Sequence, residues 1–184
     1  PYTIALQLFN QIGSHDISRP LWVTEGDKDL VKLGTAILMA FPGTPCIYYA
    51  DEIGMEGGHD PDNRRCMPWD ENQWDIDMRR YHQKIIAIRK NSHAFQQGGF
   101  QILHAQGDLI VFQRQSLQEQ IIVAGYRGDS PMPAIELDAK RANLSDGTQL
   151  KDHISDTTLT ITDGKLVLEG FAHGQVMYLA VQSA

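Results

Sequence analysis

Residues 44–49 form a short apolar run, Thr-Pro-Cys-Ile-Tyr-Tyr, in which polar and apolar side chains do not alternate. A strand with one face in water alternates between the two kinds of residue. This run therefore predicts a strand that is buried on both faces, the kind found in parallel sheets.

A helix and an earlier strand complete a strand–helix–strand unit around this run. The helix is predicted from Glu25 to Phe41, with Thr24 as its N-cap, because its apolar residues recur at helical spacing. Pro42-Gly43 ends it. The earlier strand is predicted at residues 8–13, after a short helix. This order of elements is a βαβ unit, and a second helix is predicted from Ile76 to Lys90.

The pattern changes at Gln96-Gln97-Gly98-Gly99. From Phe100 onward, short β-like runs alternate with turn signals such as Asp163-Gly164, which predicts an antiparallel β-sandwich. The predicted strands lie at residues 100–104, 109–114, 120–125, 134–137, 157–161, 166–168 and 176–181. We therefore expect two domains, residues 1–95 and 96–184.

Composition narrows the class of protein. The hydrophobic share is 42% and the formal net charge is −7, which is typical of a globular protein and argues against binding to nucleic acid. No apolar run approaches the roughly 20 residues that span a bilayer, and no signal peptide is recognised, so a cytoplasmic protein is expected. Cys46 and Cys66 are predicted to be free thiols. A chain that opens on Pro1 is expected to be a piece of a longer protein.

Acid-bearing loops follow both predicted strands of the first half. Residues 14–19, Ser-His-Asp-Ile-Ser-Arg, follow the first strand, and Asp51-Glu52 opens a long loop after the second. In a parallel α/β barrel, the carboxyl ends of the strands carry the functional site. Carboxylate and guanidinium groups hold the hydroxyl groups of neutral sugars. A metal site at His15, Asp16, His59 and Asp60 is the alternative, but the spacing of these ligands is not that of a known metal motif.

Three ordered motifs carry a family resemblance: residues 13–19 (Gly-Ser-His-Asp-Ile-Ser-Arg), residues 42–55 (Pro-Gly-Thr-Pro-Cys-Ile-Tyr-Tyr-Ala-Asp-Glu-Ile-Gly-Met) and residues 60–69 (Asp-Pro-Asp-Asn-Arg-Arg-Cys-Met-Pro-Trp). The chain resembles the carboxyl-terminal part of an α-amylase family glycoside hydrolase. Within the family it is most similar to the neopullulanase, cyclomaltodextrinase and maltodextrin glucosidase branch, with maltodextrin glucosidase as the nearest match. The similarity is strong over residues 12–70 and loose across the β half.

The resemblance implies a fold and an activity. The fold would be α/β plus all-β: the last two βα units of a TIM (β/α)8 barrel followed by an antiparallel β-sandwich. The activity would be hydrolysis of the α-glucosidic bonds of maltodextrins by a retaining mechanism. No cofactor and no metal are implied. The expected partners are an α-glucan oligosaccharide and the preceding barrel segments of the same enzyme, and a homo-oligomer of the full-length protein is compatible with the resemblance.

Site residues are carried over by position. Asp16 would be the catalytic carboxylate that stabilises the oxocarbenium-like transition state. His15, Asp60, Arg64 and Arg19 would bind substrate, with Arg19 also suited to ordering its loop. A sixth residue, Glu52, would support the strand end. The chain departs from the usual motifs at Ser14, where Asn is common, and at Ala50, where Gly is common.

The nucleophile and the general acid of a retaining glycosidase are expected upstream of this chain. In the resembled family they belong to earlier barrel strands, including a Gly-x-Arg-x-Asp motif. Residues 125–129 match that motif by letters, but they end a predicted hairpin strand in the β half, so Asp129 is assigned no catalytic role. We therefore predict an enzyme fragment that hydrolyses nothing on its own.

Two other hypotheses about the function stay open. The chain could be a non-catalytic carbohydrate-binding or interaction module centred on the β-sandwich, although residues 100–184 contain no Trp. Alternatively, the enzyme could act mainly as an α-1,6-glucosidase or a glucosyl transferase.

Overall fold

The structure is a computed structural model that describes residues 1–182. The chain divides into two compact units, residues 1–90 and the residues from Asn91 onward. The two domains expected from the change of sequence pattern, residues 1–95 and 96–184, stay a prediction.

The first unit contains a parallel pair of strands with helices around it. In chain order its elements are α1 (Tyr2–Ala5), β1 (Phe9–Gln11), α2 (Pro20–Val23), α3 (Lys28–Ala40), β2 (Thr44–Cys46) and α4 (Ile76–Asn91). Strands β1 and β2 pair in parallel, with Phe9 opposite Thr44 and Gln11 opposite Cys46. The predicted strand–helix–strand unit and the second helix are confirmed.

The prediction that residues 44–49 form a strand buried on both faces is wrong. Strand β2 covers only Thr44–Cys46, and its residues are exposed or half-buried. In the described part of the chain β1 is the only strand that pairs with β2, so the second edge of β2 has no strand neighbour.

The predicted start of α3 is also wrong. Thr24 ends α2 rather than capping α3, and Glu25 and Gly26 both have positive φ angles, 54° and 86°. A helix cannot run through two residues of left-handed backbone. The N-cap is Asp27, whose carboxylate accepts hydrogen bonds from the backbone N–H groups of the second and third helical residues.

Helices α3 and α4 pack through a buried histidine. The ring of His82 contacts the Met78 carbonyl oxygen through Nδ1 at 2.9 Å and the Thr35 hydroxyl through Nε2 at 3.2 Å. Burial lowers the pKa of His82, so the neutral form is favoured. Leu21, Val31 and Met78 form an apolar cluster beside this contact.

The second unit is mostly antiparallel sheet. Its elements are α5 (His93–Gln97), β3 (Gly99–Gln106), β4 (Leu109–Gln115), β5 (Gln120–Tyr126), β6 (Ile135–Asp138), β7 (Gln149–Asp152), β8 (Thr158–Thr160), β9 (Lys165–Leu168) and β10 (Val176–Val181). One sheet has the order β3-β4-β5-β10-β7-β8, and β6 pairs with β9 in a second sheet. The described strand pairs of this unit are antiparallel, as predicted.

Both sheets contribute to one apolar core. Ile122 and Leu179 of the large sheet and Leu166 and Leu168 of the small one are almost fully buried in the same cluster. Within residues 1–182, no helix is long and apolar enough to cross a membrane.

Candidate functional site

The first loop of the site leaves β1 through Gly13. A Cβ atom at Gly13 would collide with the carboxylate of Asp51, so only glycine allows the two loops to approach this closely. The loop then turns at Ser14, whose hydroxyl accepts a hydrogen bond from the backbone N–H of Asp16 at 3.1 Å. This turn presents His15 and Asp16 to solvent. Their side chains are 66% and 73% exposed, and Nε2 of His15 lies 3.3 Å from Oδ1 of Asp16.

The second loop brings Asp60 and Arg64 to the same place. Arg64 donates from Nε to the carbonyl oxygen of His15 at 3.0 Å, and its Nη2 lies 3.3 Å from Oδ1 of Asp60. Asp16 and Asp60 line one open cleft of about 620 Å³, together with His59. Four of the six site residues expected from the sequence are therefore assembled at one surface.

Asn63 joins the two loops from below. Its side chain is buried, and Nδ2 donates to the carbonyl oxygens of His15 at 2.8 Å and Ile17 at 2.9 Å. A longer contact of 3.5 Å reaches the carbonyl oxygen of Ser14. The sequence analysis gave Asn63 no role, because an Asn in a loop is most often a turn residue and no pattern indicates burial.

Arg19 lies beneath the site rather than in it. Its side chain is fully buried, with Nη1 donating to the carbonyl oxygen of Tyr49 at 2.6 Å and to Oδ1 of Asp51 at 2.8 Å. Nε donates to the carbonyl oxygen of Asn63 at 3.0 Å. The guanidinium carbon is 4.6 Å from the ring centroids of Tyr48 and Tyr49. A fully buried guanidinium cannot touch a sugar from this position, so the assignment of Arg19 to substrate binding is corrected to loop ordering.

Asp51, rather than Glu52, is the acid that ties the second strand end into this network. Burial raises the pKa of Asp51 to about 6, and the hydrogen bond from Arg19 opposes that rise. Glu52 is half-buried in the 3-10 turn Asp51–Ile53. Which of two adjacent acids turns inward depends on Ala50, whose φ is 67°. An alanine gives no sequence signal for that left-handed conformation, and so the choice could not be made from the pattern.

A second ion pair stabilises the bend of the long loop. Asp62 accepts from Nε of Arg65 at 2.8 Å and from the backbone N–H of Gly58 at 2.7 Å. The Arg65 side chain, followed by the Gly58 N–H, lowers the pKa of Asp62. In the described part of the chain, no three His, Cys, Asp or Glu side chains are grouped so as to hold a metal ion. Cys46 and Cys66 are both free.

Comparison with known proteins gives matches over both units. A sequence model described as the catalytic domain of α-amylase matches residues 3–92. A cyclomaltodextrinase from Bacillus sp. is 41% identical over 118 residues, which is 63% of this chain and 21% of that protein. An intracellular maltogenic amylase from Bacillus subtilis is 30% identical over 159 residues, which is 85% of this chain and 26% of that protein.

A solved structure described as cyclomaltodextrinase superposes with a TM-score of 0.85 and 31% identity, covering 99% of this chain and 30% of that one. The chain therefore spans between a fifth and a third of the length of these relatives.

Proposed function

The chain belongs to the α-amylase family of glycoside hydrolases, and from that premise we propose that it is the carboxyl-terminal part of a retaining enzyme that cleaves α-glucosidic bonds of maltodextrins. The observation that carries the proposal is the position of Arg64, which contacts both the His15 carbonyl oxygen and the Asp60 carboxylate. This residue holds the two loops together at the cleft that Asp16 lines.

Asp16 is proposed as the carboxylate that stabilises the transition state. In a retaining glycosidase, the bond breaks through an oxocarbenium-like state in which positive charge develops on the sugar ring. The exposed carboxylate of Asp16 offsets that charge and accepts hydrogen bonds from ring hydroxyls. His15, whose ring lies against this carboxylate, is proposed to hydrogen-bond the same sugar.

Asp60 and Arg64 are proposed to hold the neighbouring glucose. Both side chains are about half exposed, so their charged ends can contact a ligand while they stay paired. Charge-assisted hydrogen bonds from such a pair fix the hydroxyls of a neutral sugar. Arg19 and Asp51 support these loops from beneath.

The nucleophile and the general acid are proposed to come from barrel strands that precede these residues in the complete enzyme. They must lie about 5–5.5 Å apart on either side of the scissile bond. This proposal is supported by coverage, because the chain matches only 21% and 30% of the length of the two cyclomaltodextrinases described above. We also propose a TIM barrel for the complete catalytic domain, with residues 9–46 supplying its last two strands.

Asp16→Asn in the complete enzyme tests the proposal. We expect kcat on maltotriose to fall by roughly 10²–10³-fold, because the substitution removes the charge while preserving the shape of the side chain. Asp29→Asn, an exposed acid in the first turn of α3, is the matched control and should leave kcat unchanged. A near-normal kcat for Asp16→Asn, with unchanged circular dichroism, would remove Asp16 from the mechanism.

Finer features of the activity are proposals as well. Maltodextrin glucosidase-like specificity rests on the resemblance of residues 12–70, while the relatives described above are named cyclomaltodextrinase and maltogenic amylase. A cytoplasmic location is supported by the relative whose name calls it intracellular. Comparing initial rates on cyclomaltodextrins and on linear maltodextrins would separate these specificities.

A further inference from the structure

We propose that the second unit carries a groove that binds a neutral oligosaccharide, formed by β3, β4, α5 and the turn between β4 and β5. An open cavity of about 770 Å³ lies there. Half of the residues that line it are glutamines: Gln97, Gln101, Gln113, Gln115 and Gln118.

The chemistry of the lining selects a neutral, polyhydroxylated ligand. Asp, Glu, Lys and Arg are all missing from the residues that form the cavity wall, which holds one histidine, His93. A primary amide offers both hydrogen-bond donors and acceptors, and a sugar hydroxyl is likewise both. An ionic ligand would find little charge to pair with in this groove.

Strand register explains why these amides share one surface. Residues two apart on a strand share a face, so Gln113 and Gln115 lie on the same face as Leu109 and Val111, which are buried in the core. Gln101 of β3 is directly opposite Gln113. One sheet face thus changes from an apolar core at one end to a row of amides at the other.

A hydrogen bond to a backbone carbonyl group determines which end of each linked amide is the nitrogen and which is the oxygen. Gln120 donates from Nε2 to the carbonyl oxygen of Ala142 at 2.6 Å, which can only accept, so the orientation of the Gln120 amide is determined. The same Nε2 donates to Oε1 of Gln113 at 2.9 Å. Nε2 of Gln113 must then donate to Oε1 of Gln101, and this distance is 2.7 Å. Because Oε1 of Gln101 accepts from Gln113, the amide nitrogen of Gln101 donates to some other acceptor, which a ligand hydroxyl can provide.

Gln113 and the oxygen end of the Gln101 amide are therefore preorganised for binding. Gln113 is only 7% exposed and is held by hydrogen bonds at both ends, so little side-chain entropy remains to be lost when a ligand binds. Leu117, in the turn between β4 and β5, is fully exposed beside the amides. An apolar side chain at this position can contact the C–H face of a sugar ring while the amides hold its hydroxyls.

The experiment is a nitrogen-15 NMR titration of the full chain with maltoheptaose, and in a second arm with cellohexaose. The choice of maltoheptaose rests on the proposed function, whereas the groove itself does not. We expect side-chain amide shifts of Gln101 and Gln115 with either sugar, with a Kd of roughly 1 mM. Gln101→Leu should weaken binding by about five-fold, since it removes one or two hydrogen bonds. Gln106→Leu, an exposed position on the same strand outside the cavity, should bind like the parent chain.

Three results would refute the proposed binding at this groove. They are no chemical-shift change with either sugar at about 20 mM, equal sugar affinity of Gln101→Leu and the parent, or chemical-shift changes confined to residues 12–64. The last result would refute the groove while supporting the site at Asp16. Shifts at Gln101 and Gln115 in a chain carrying Asp16→Asn would support the groove independently of the proposed catalytic role.

Discussion

At the scale of single residues, the site depends on side chains that no substrate would touch. Asn63 and Arg19 are both buried. Asn63 donates to backbone carbonyl oxygens of the first loop, those of Ser14, His15 and Ile17. Arg19 donates to the Tyr49 carbonyl oxygen and to the Asp51 carboxylate. The exposed residues Asp16 and Asp60 owe their positions to this buried layer. Their geometry is therefore sensitive to substitutions beneath the surface.

Asn63→Ala tests this dependence. The substitution leaves the carbonyl oxygen of Ile17 without its donor and removes one of the two donors of the His15 carbonyl oxygen, which keeps Arg64. Each lost buried hydrogen bond costs about 1–3 kcal/mol. We expect the free energy of unfolding of the first unit to fall by about 3 kcal/mol. Tryptophan fluorescence during urea unfolding reports this unit, because Trp22, Trp69 and Trp74 all lie in it.

Cys66→Ala, an exposed position of the same loop, is the control for Asn63→Ala and should change the unfolding free energy by less than about 0.5 kcal/mol. Equal stabilities of the two variants would show that Asn63 does not hold the loops together.

Asp51 makes the stability of the first unit depend on pH. Its pKa is raised from 3.8 to about 6 in the folded protein, so between these values the folded state holds a proton that the unfolded state has released. The resulting stabilisation is complete below about pH 4 and is lost as pH rises through about 6. The shift corresponds to about 3 kcal/mol.

Asp51→Asn removes this titration. We expect the difference in unfolding free energy between the parent and the variant to change by about 2 kcal/mol between pH 4 and pH 7, with the parent favoured at pH 4. Urea unfolding at four pH values measures it. Parallel pH profiles for the two proteins would contradict the raised pKa.

The exposed part of the site could be predicted from the sequence, and its buried support could not. His15, Asp16, Asp60 and Arg64 stand in motifs whose order is visible in the chain, and the structure brings them to one surface. The inward turn of Asp51 depends on a left-handed Ala50, which has no signature in the sequence. The burial of Asn63 depends on loops that are far apart in the chain.

At the scale of elements, one buried carboxylate ties β7 to β10. Asp152 is fully buried and accepts from the backbone N–H of Tyr178 at 2.7 Å, from Ser155 N–H at 2.9 Å and from the Ser155 hydroxyl at 2.6 Å. It also accepts from Ile154 N–H at 3.1 Å. This single side chain both closes the turn after β7 and pairs with the central strand of the core.

Asp152→Ala should destabilise the second unit strongly. The substitution leaves the buried N–H of Tyr178 without an acceptor, and we expect a loss of about 3 kcal/mol of unfolding free energy. Hydrogen exchange of the Tyr178 amide should accelerate by roughly 100-fold, as that loss implies. Asp129→Ala, whose side chain is fully exposed, should leave exchange at Tyr178 unchanged. Protection of Tyr178 that survives Asp152→Ala would refute this role.

Elements with a clear hydrophobic pattern were predicted well, including the short strands β6, β8 and β9, whereas two short elements without such a pattern were missed. The sixteen-residue helix α4 has enough turns for its apolar spacing to be recognised. Strand β7, Gln-Leu-Lys-Asp, has one apolar residue among four and escaped prediction. Asp152 is buried because its carboxylate accepts hydrogen bonds, whereas a charged residue in a sequence predicts an exposed position. Helix α5 has five residues and likewise shows no period.

At the scale of the whole molecule, the chain is expected to be inactive alone. In the proposed mechanism the chain supplies Asp16 and sugar contacts, and the nucleophile and the general acid are proposed to come from segments outside residues 1–184. Incubation of the purified chain with maltotriose should release no glucose above buffer, as measured by a coupled glucose assay. Any turnover that scales with the amount of chain, and disappears in Asp16→Asn, would contradict the division of the site that we propose.

The hydrogen bonds of Asn63 also bear on how enzymes of this kind can be re-engineered. Residues 14–19 and 57–64 contact each other through Asn63, Arg19 and Arg64, and the Arg19 N–H binds the Gly57 carbonyl oxygen at 2.9 Å. They are separated in the chain by helices α2 and α3 and strand β2, yet shared hydrogen bonds hold them against each other. Grafting either loop from a relative would bring in a backbone whose carbonyl groups meet the wrong donors. Exchange of substrate preference between relatives should therefore require that both segments be transplanted together.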